Sequence, residues 1–566
     1  MNYQESIGKL LAENIELPLD ELVQSVEEPS DSSLGDYAFP CFRLAKAFRK
    51  APPVIAQELV EGINKCERPE WLDKAVATGP YVNFFLDRVF FAGNTLNAVL
   101  KEGGNYGKSQ EGRGKKVVMD YSSPNIAKHF HIGHLGSTII GNSIYKIYTH
   151  LGYDVTGINY LGDWGTQFGK LIVAYKRWGS QEEIEATEID GLVRIYVKFH
   201  EEADKDPSLY DEARAWVVRM QNGDEEGLRL WKWFVDLSLR AYERIYKLLD
   251  VRFDVYRGES YYSDKMDAVA AELTEKGLLQ TSEGAQIVDL EAYGMPPCLI
   301  LRSDGGTLYP TRDIAAALDR YAEYKFDLSL YVTGVEQSMH FSQFFKVLEL
   351  MGYPWAKNMV HIANGMLLFE SGKMSTRRGD VIKIEDLLNE AIDNTLKIIE
   401  EKNPELQDKQ IVAEQVGVGA LIFNKLYNSR IKDSMFSWER AINFDGETGP
   451  YVQYTHARAC SVLEKAQYKT DSPDMSLLTD NECFGVLRLL YSYPKCIREA
   501  AVKFEPFIIA RHMVALAQAY NAFYHNHTIL VEDRLLQGAR VALTAAVQVV
   551  LEGGLRLLGI GAPAKM

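Results

Sequence analysis

Two stretches carry residues whose type and spacing suit chemistry on phosphate. In the first, KKVVMDYSSPNIAKHFHIGHLGSTIIG (115–141), His131 and His134 stand three apart, with Gly133 and Gly136 interleaved. That spacing puts both imidazoles on one face of a helical turn. The glycines let a bulky planar group lie against bare backbone. The set suits a nucleotide whose phosphates meet imidazole donors while its base packs over glycine. A metal pair is the alternative reading, because His129 is close in sequence, but no cysteine or carboxylate lies nearby at ligand spacing. In the second stretch, KMSTRRGD (373–380), Lys373, Arg377 and Arg378 form a basic turn able to neutralise negative charge such as a phosphate's. A surface turn without catalytic duty is the plainer reading of that segment.

These residues need elements to hold them. Val117, Val118 and Met119 form an apolar run fit for a buried strand of a parallel sheet. SSPN follows as a turn, with Pro124 predicting an extended Ser123, and a helix is expected to start at Gly133. Strand, sharp turn and helix N-terminus make a layout in which free N–H groups and the positive dipole end face an anion. A second apolar segment near Val155 leads to GDWG, expected at a strand's C-terminal end, where open α/β sheets bind ligands. Charged helices over about 180–285 read as an insertion, after which the sheet is expected to resume at Gln286–Leu301. LRSDGGTLYPTRDIAAALDRY carries Tyr309 and Asp313 just before or inside a helix, and LSLYVTGVEQ ends at Glu336 and Gln337, close to His340. Taken alone, Asp313 reads as a helix cap or a surface ion pair.

Residues 1–110 read as a small α/β domain. Within it, Tyr81, Asn83 and Phe85 alternate with Val82, Phe84 and Leu86 in a two-faced strand. From 381 onward, apolar residues at three- and four-residue spacing predict helices throughout. At 566 residues the chain exceeds one core, so several domains are expected. The net charge of −16 argues mildly against a nucleic-acid binder without excluding one, because local basic patches outweigh the sum. The six scattered cysteines (Cys41, Cys66, Cys298, Cys460, Cys483, Cys496) lack any C-x-x-C and predict free thiols in a reducing cytoplasm. No signal peptide or membrane-spanning apolar run is read.

The HIGH tetrad at 131–134, set in SSPNIAK-x-x-HIGHL-x-STIIG and followed by a KMSKS-like turn, resembles the class I aminoacyl-tRNA synthetases, and the longer string resembles the arginyl-tRNA synthetases. GDYAFP and GPYVNFFLD resemble that family's N-terminal additional domain. FSWERAINFDGETGPYVQYTHARACSVL and the C-terminal stretch resemble its helical anticodon-binding domain. The resemblance implies a multidomain α/β fold: an additional domain at 1–110, a Rossmann-type catalytic domain at 111–380 with the insertion at about 180–285, and an all-helical domain at 381–566. It implies an arginine–tRNA ligase that forms arginyl-adenylate and charges tRNA(Arg), with tRNA needed even for activation. ATP with Mg²⁺ would enter as a substrate complex. No tightly bound cofactor, no metal site and no membrane partner are implied, and a cytoplasmic monomer is the family's usual form.

By the same resemblance, His131, His134, Lys128, Lys373 and Arg377 are catalytic. Gly133, Gly136, Met374 and Ser375 join the two histidines in binding ATP. Tyr309 and Asp313 hold the arginine guanidinium, a planar cation best read by a carboxylate fork and an aromatic face. Asn125 and Gln337, with Asp120 nearby, hold the amino-acid end. Tyr81 and Asn83 contact the tRNA D-loop, and Tyr451, Arg458 and Tyr524, with Met566, the anticodon loop. The competing reading of Tyr81 and Asn83 is the solvent face of a sheet, and that of Tyr451, Arg458 and Tyr524 a helix-packing role. Thr376 stands where the KMSKS loop has its second lysine, a difference many arginyl enzymes share and one that Lys128 could make good. The departure from the family is Gly136, where arginine is common. A paralogue charging another acceptor and a catalytically silent tRNA binder are rival readings. The intact HIGH tetrad, Lys128, Asp313 and basic turn argue against both.

Overall fold

The computed structural model describes residues 1–65, 67–303, 309–369, 382–467 and 473–566. Lys373, Met374, Ser375, Thr376, Arg377 and Arg378 lie outside the described residues. By internal contacts the chain forms two compact units.

The first unit comprises 1–106, 458–492 and 515–550. Strands β1 (Tyr37–Pro40), β2 (Leu72–Thr78) and β3 (Tyr81–Leu86) form an antiparallel sheet in the order β1-β3-β2. Asp87 ends β3 and starts the helix Arg88–Glu102, its carboxylate accepting from Phe90 N–H at 2.8 Å, which satisfies a free donor of the first turn. Rings of Tyr3, Phe91, Phe484 and Tyr491 meet at centroid distances of 5.2–5.5 Å. The Tyr491 hydroxyl accepts from Tyr3 N–H at 3.2 Å, and Arg88 donates to the Thr479 carbonyl at 2.6 Å.

The second unit comprises 107–457, 493–514 and 551–566. Its chain runs through β4 (Lys116–Tyr121), β5 (Asp154–Asn159), β6 (Val255–Tyr256), β7 (Leu279–Ser282), β8 (Ala285–Val288), β9 (Cys298–Leu301), β10 (Leu328–Gly334) and β11 (Met359–Asn364). A parallel five-stranded sheet has the order β11-β10-β4-β5-β6. β4 is central, and its Val117, Val118 and Met119 are each at most 1% exposed, as a strand covered on both faces requires. Connections leave β4 in one direction and return to β10 on its other side. The crevice between the two strand ends is where such sheets bind ligands.

Three expectations are corrected here. The main sheet resumes at β6, and Gln286–Leu301 instead supplies β8 and β9 of a separate antiparallel sheet, β7-β8-β9. The reason is local: Glu283 and Gly284 both take positive φ (49° and 82°), making a tight two-residue hairpin from β7 to β8. The region after 381 is not wholly helical, since β12 (Leu367–Phe369) pairs in parallel with β13 (Ser434–Phe436). Finally, helix Arg534–Leu557 is long and apolar enough to cross a membrane, yet over half of its most apolar window is buried inside the protein, as in a core helix.

Candidate active site

The loop after β4 is strained and heavily braced. Ser122, Ser123 and Ala127 all have positive φ (72°, 50° and 58°), a conformation that costs a residue with a Cβ on the order of 1 kcal/mol or more. Pro124 therefore does not hold Ser123 extended. Ser123 N–H instead donates back to Tyr121 O at 3.1 Å, closing a γ-turn around Ser122. Side chains offset the cost. Ser123 Oγ donates to Asp120 Oδ1 at 2.7 Å, Thr138 Oγ1 to Ser122 Oγ at 2.8 Å, and Ser238 Oγ accepts from Ala127 N–H at 3.0 Å. The Tyr242 hydroxyl lies 2.7 and 2.6 Å from the carbonyls of Asn125 and Lys128. Ser238 and Tyr242 belong to helix Glu225–Leu248 of the insertion, so those charged helices buttress the loop. The loop is also laced to the one after β5: Ile126 N–H donates to Gly162 O, and Gly162 N–H to Pro124 O. A Cβ on Gly162 would fall 2.2 Å from Asn125 Oδ1, so any side chain there would displace the Asn125 amide.

The helix Ile132–His150 begins with both signature imidazoles acting as its cap. His131 Nδ1 accepts from Gly133 N–H at 3.1 Å, and His134 Nδ1 accepts from His131 N–H at 3.3 Å. An Nδ1 that accepts carries no proton, so each neutral ring presents Nε2–H. The rings lie 3.9 Å apart between centroids. Burial, then the partner His131, then Lys128 push His134 down to about 3, and burial and Lys128 lower His131. Both are therefore neutral donors at physiological pH. His129 turns away, to 3.4 Å from Asp190, which Lys383 also approaches at 2.7 Å. The three histidines thus do not converge as metal ligands.

A cavity of about 730 Å³ opens at the ends of β4 and β10. His131, His134, Gly133 and Gly136 line it together with Asp120, Asn125, Tyr309, Asp313 and Gln337, so the sequence-predicted nucleotide and arginine residues among the described ones share one chamber, with Lys128 as the exception. Lys128 is exposed, and its charge is felt by both imidazoles. A second cavity of about 760 Å³, beside Arg244, Glu414 and Arg556, holds none of the predicted site residues.

The acid groups of the chamber differ in what they have free. Asp120 is committed: its Oδ2 meets Arg320 at 2.8 Å and its Oδ1 takes the Ser123 hydroxyl. Arg320 is 1% exposed, with the rings of Tyr160 and Tyr331 at 5.1 and 5.5 Å. Asp313 Oδ2 meets His340 Nε2 at 2.6 Å and is accessible from the chamber. Tyr309, on the first turn of the same helix, is 67% exposed. Sequence reasoning missed Glu259, which lines the chamber 2.8 Å from Arg312 and is pushed up to about 7 by burial against the pull of Arg312. It sits in a short helical turn after β6 with no recognisable motif; only its place after the GDWG-bearing half of the sheet hinted at it.

Among the predicted tRNA-contacting residues, Tyr81 is half-buried and packs edge-on against Phe42 at 5.5 Å, and Phe42 is 53% exposed. Asn83 is 3% exposed, which corrects the two-faced reading of β3: the Gly35 segment lies against the supposed solvent side here, where a Cβ on Gly35 would stand 3.4 Å from Asn83 Cβ. Arg458 bonds Asn521 and lies 4.9 Å over the ring of Tyr524, which is 40% exposed. Tyr451 is half-buried on helix Gly449–Ala466, and the Met566 carbonyl accepts from Asn403 at 3.1 Å.

Comparison with known proteins accounts for nearly all of the chain. Residues 1–86 match the arginyl tRNA synthetase N-terminal domain, 95–438 the catalytic domain of tRNA synthetases class I (R), and 452–566 the DALR anticodon-binding domain. Arginine–tRNA ligases of Alkaliphilus metalliredigens and Clostridioides difficile are 53% and 52% identical over 567 residues, spanning 100% of each chain. The solved arginyl-tRNA synthetase of Thermus thermophilus aligns with a TM-score of 0.83 at 27% identity, covering 100% of this chain and 99% of that one.

Proposed function

The chain belongs to the arginyl-tRNA synthetase family, and from that premise we propose that it activates L-arginine with ATP and transfers the arginyl group to tRNA(Arg) in the chamber between β4 and β10. The observation that carries this reading is the juxtaposition of a neutral imidazole pair at a helix N-terminus with an acid-lined end, in one cavity of about 730 Å³.

The substrate carboxylate is already a nucleophile, so the first step needs no protein base. Its oxygen attacks the α-phosphorus of ATP, and the bond to pyrophosphate breaks, giving arginyl-adenylate. The protein's contribution is position and charge. His131 and His134 donate Nε2–H to phosphate oxygens whose charge grows in the transition state, and the helix N-terminus adds its dipole. Lys128, with Lys373 and Arg377 outside the described residues, supplies cationic balance for the leaving pyrophosphate. Magnesium travels with ATP as part of the substrate. At the other end, Asp313 and Glu259 receive the guanidinium beside Tyr309, while Asn125 and Gln337 receive the α-ammonium and carboxylate. Asp120 acts through Arg320 and Ser123 as a support of the loop. In the second step a hydroxyl of the terminal ribose attacks the acyl carbon and AMP leaves. Tyr81 beside Phe42, and Arg458 over Tyr524, provide planar faces suited to unstacked tRNA bases. The cytoplasm is the proposed compartment.

The test is arginine-dependent ATP–pyrophosphate exchange with and without cognate tRNA. Exchange that appears only with tRNA is expected. Silence in both conditions, with other amino acids then supporting exchange, would overturn the assignment of arginine.

A further inference from the structure

Lysine is almost never fully buried unless paired, yet Lys425, on helix Lys409–Leu426, is 1% exposed. Its Nζ donates to Gly365 O at 2.8 Å. No carboxylate lies within ion-pair distance of it among the described residues. Burial pushes it down to about 8 against the opposing field of Asp433. The group it holds belongs to a pinned wall. Asn364 donates to Thr333 O at 2.7 Å, Gly365 N–H to Arg430 O at 2.8 Å, and Met366 N–H to Asp433 Oδ1 at 2.7 Å. Asn364, Gly365 and Met366 line the chamber on the side of Gly133 and Gly136. A Cβ at Gly136 would lie 3.0 Å from Asn364 Oδ1 and 3.5 Å from Lys425 Cε. A Cβ at position 136 would thus touch the Lys425 stem at ordinary contact distance and press on Asn364 Oδ1, so a side chain longer than alanine's meets both.

We propose that Lys425 is a positioning residue for the nucleotide end of the chamber: it fills the space that Gly136 leaves open and fixes the Asn364–Met366 wall through the Gly365 carbonyl. The proposal rests on the reading of this chamber as the ATP and arginine site.

Exchange kinetics at saturating tRNA test it. In Lys425→Met the KM for ATP should rise about tenfold while the KM for arginine stays within twofold, and Lys425→Gln, which keeps a donor for Gly365 O, should recover most of the loss. Gly136→Arg should lower kcat/KM for ATP at least a hundredfold, and adding Lys425→Ala should restore at least tenfold of that. Equal movement of both KM values, no movement of either, or a double variant no more active than Gly136→Arg, folded or not, would overturn the proposal. A parent protein without arginine-dependent exchange would instead overturn the function on which it rests.

Discussion

Replacing Asp313 by Asn removes one charge from the proposed guanidinium site and almost nothing else. The amide keeps the carboxylate's volume, and its oxygen can still accept from His340, now 2.6 Å from Oδ2. The fold should therefore survive, with Tm changed by only a few degrees. Arginine binding should suffer more. A hydrogen bond to a charged partner contributes about 1.5–3 kcal/mol. Opposed unit charges about 4 Å apart near a protein surface add attraction of up to about 4 kcal/mol. Taking about 3–4 kcal/mol as the combined loss, and about 1.4 kcal/mol per tenfold, kcat/KM for arginine should fall roughly 10²–10³-fold. The KM for ATP should stay within twofold, since the imidazole pair is untouched. Citrulline, an uncharged isostere, supplies a second reading: discrimination between arginine and citrulline should shrink by a similar factor in the variant. Pyrophosphate exchange with tRNA present, titrated separately in each substrate, measures all three quantities. A fall in kcat/KM for arginine below fivefold, or an equal effect on ATP, would refute the placement of the guanidinium at Asp313.

Glu259 is raised to about 7, so it is largely neutral at pH 6 and ionised at pH 8; the KM for arginine should drop over that interval, and Glu259→Gln should flatten the profile while raising KM at pH 8. His134 carries the opposite kind of shift. Its folded pKa of about 3 lies below the ordinary value near 6.5, so the unfolded state takes up its proton first and stability is lost as pH falls from 6.5 toward 3, by roughly 1 kcal/mol per pH unit. Scanning calorimetry of His134→Gln from pH 7 to 5 should show a shallower decline in Tm than the parent, and parallel slopes would discard this account of the cap. Phe42→Ala and Tyr81→Ala should each raise the KM for tRNA severalfold in aminoacylation and leave the KM for arginine unchanged at saturating tRNA. Unaltered tRNA kinetics in both would remove that aromatic pair from the interface.

What the sequence disclosed was local. The run Val117–Met119, the helix after His131 and the placement of GDWG just past β5 follow from periodicity, turn residues and spacing over a few positions, and the fold contains all three. Distant partners left no such trace. Arg320 reaches Asp120 from 200 residues away, and Lys425 reaches Gly365 across 60. Nothing in the spacing of either segment announces the pairing. Glu259 has no motif because its neighbours serve a turn, and its chemistry arises from burial against Arg312. Pro124 misled about Ser123 because hydroxyl bonds to Asp120 and Thr138 sustain a backbone that local propensity disfavours. Asn83 misled because alternation reports two faces only where one of them is wet.

The composition of the first compact unit bears on how the chain is made. Its sheet and leading helices are encoded in residues 1–106, but the side chains that close over Tyr3 and Phe91 come from Phe484 and Tyr491. A ribosome adding 5–20 residues per second needs roughly 20–70 s to cross the roughly 350 residues between the two segments. Through that interval the nascent N-terminal segment exposes an aromatic face whose native cover has not yet been translated. Premature termination before residue 458 would leave it permanently uncovered. Pausing or truncation anywhere between residues 107 and 484 therefore endangers the fold of residues 1–106, because the rings that cover Tyr3 and Phe91 are made only afterwards.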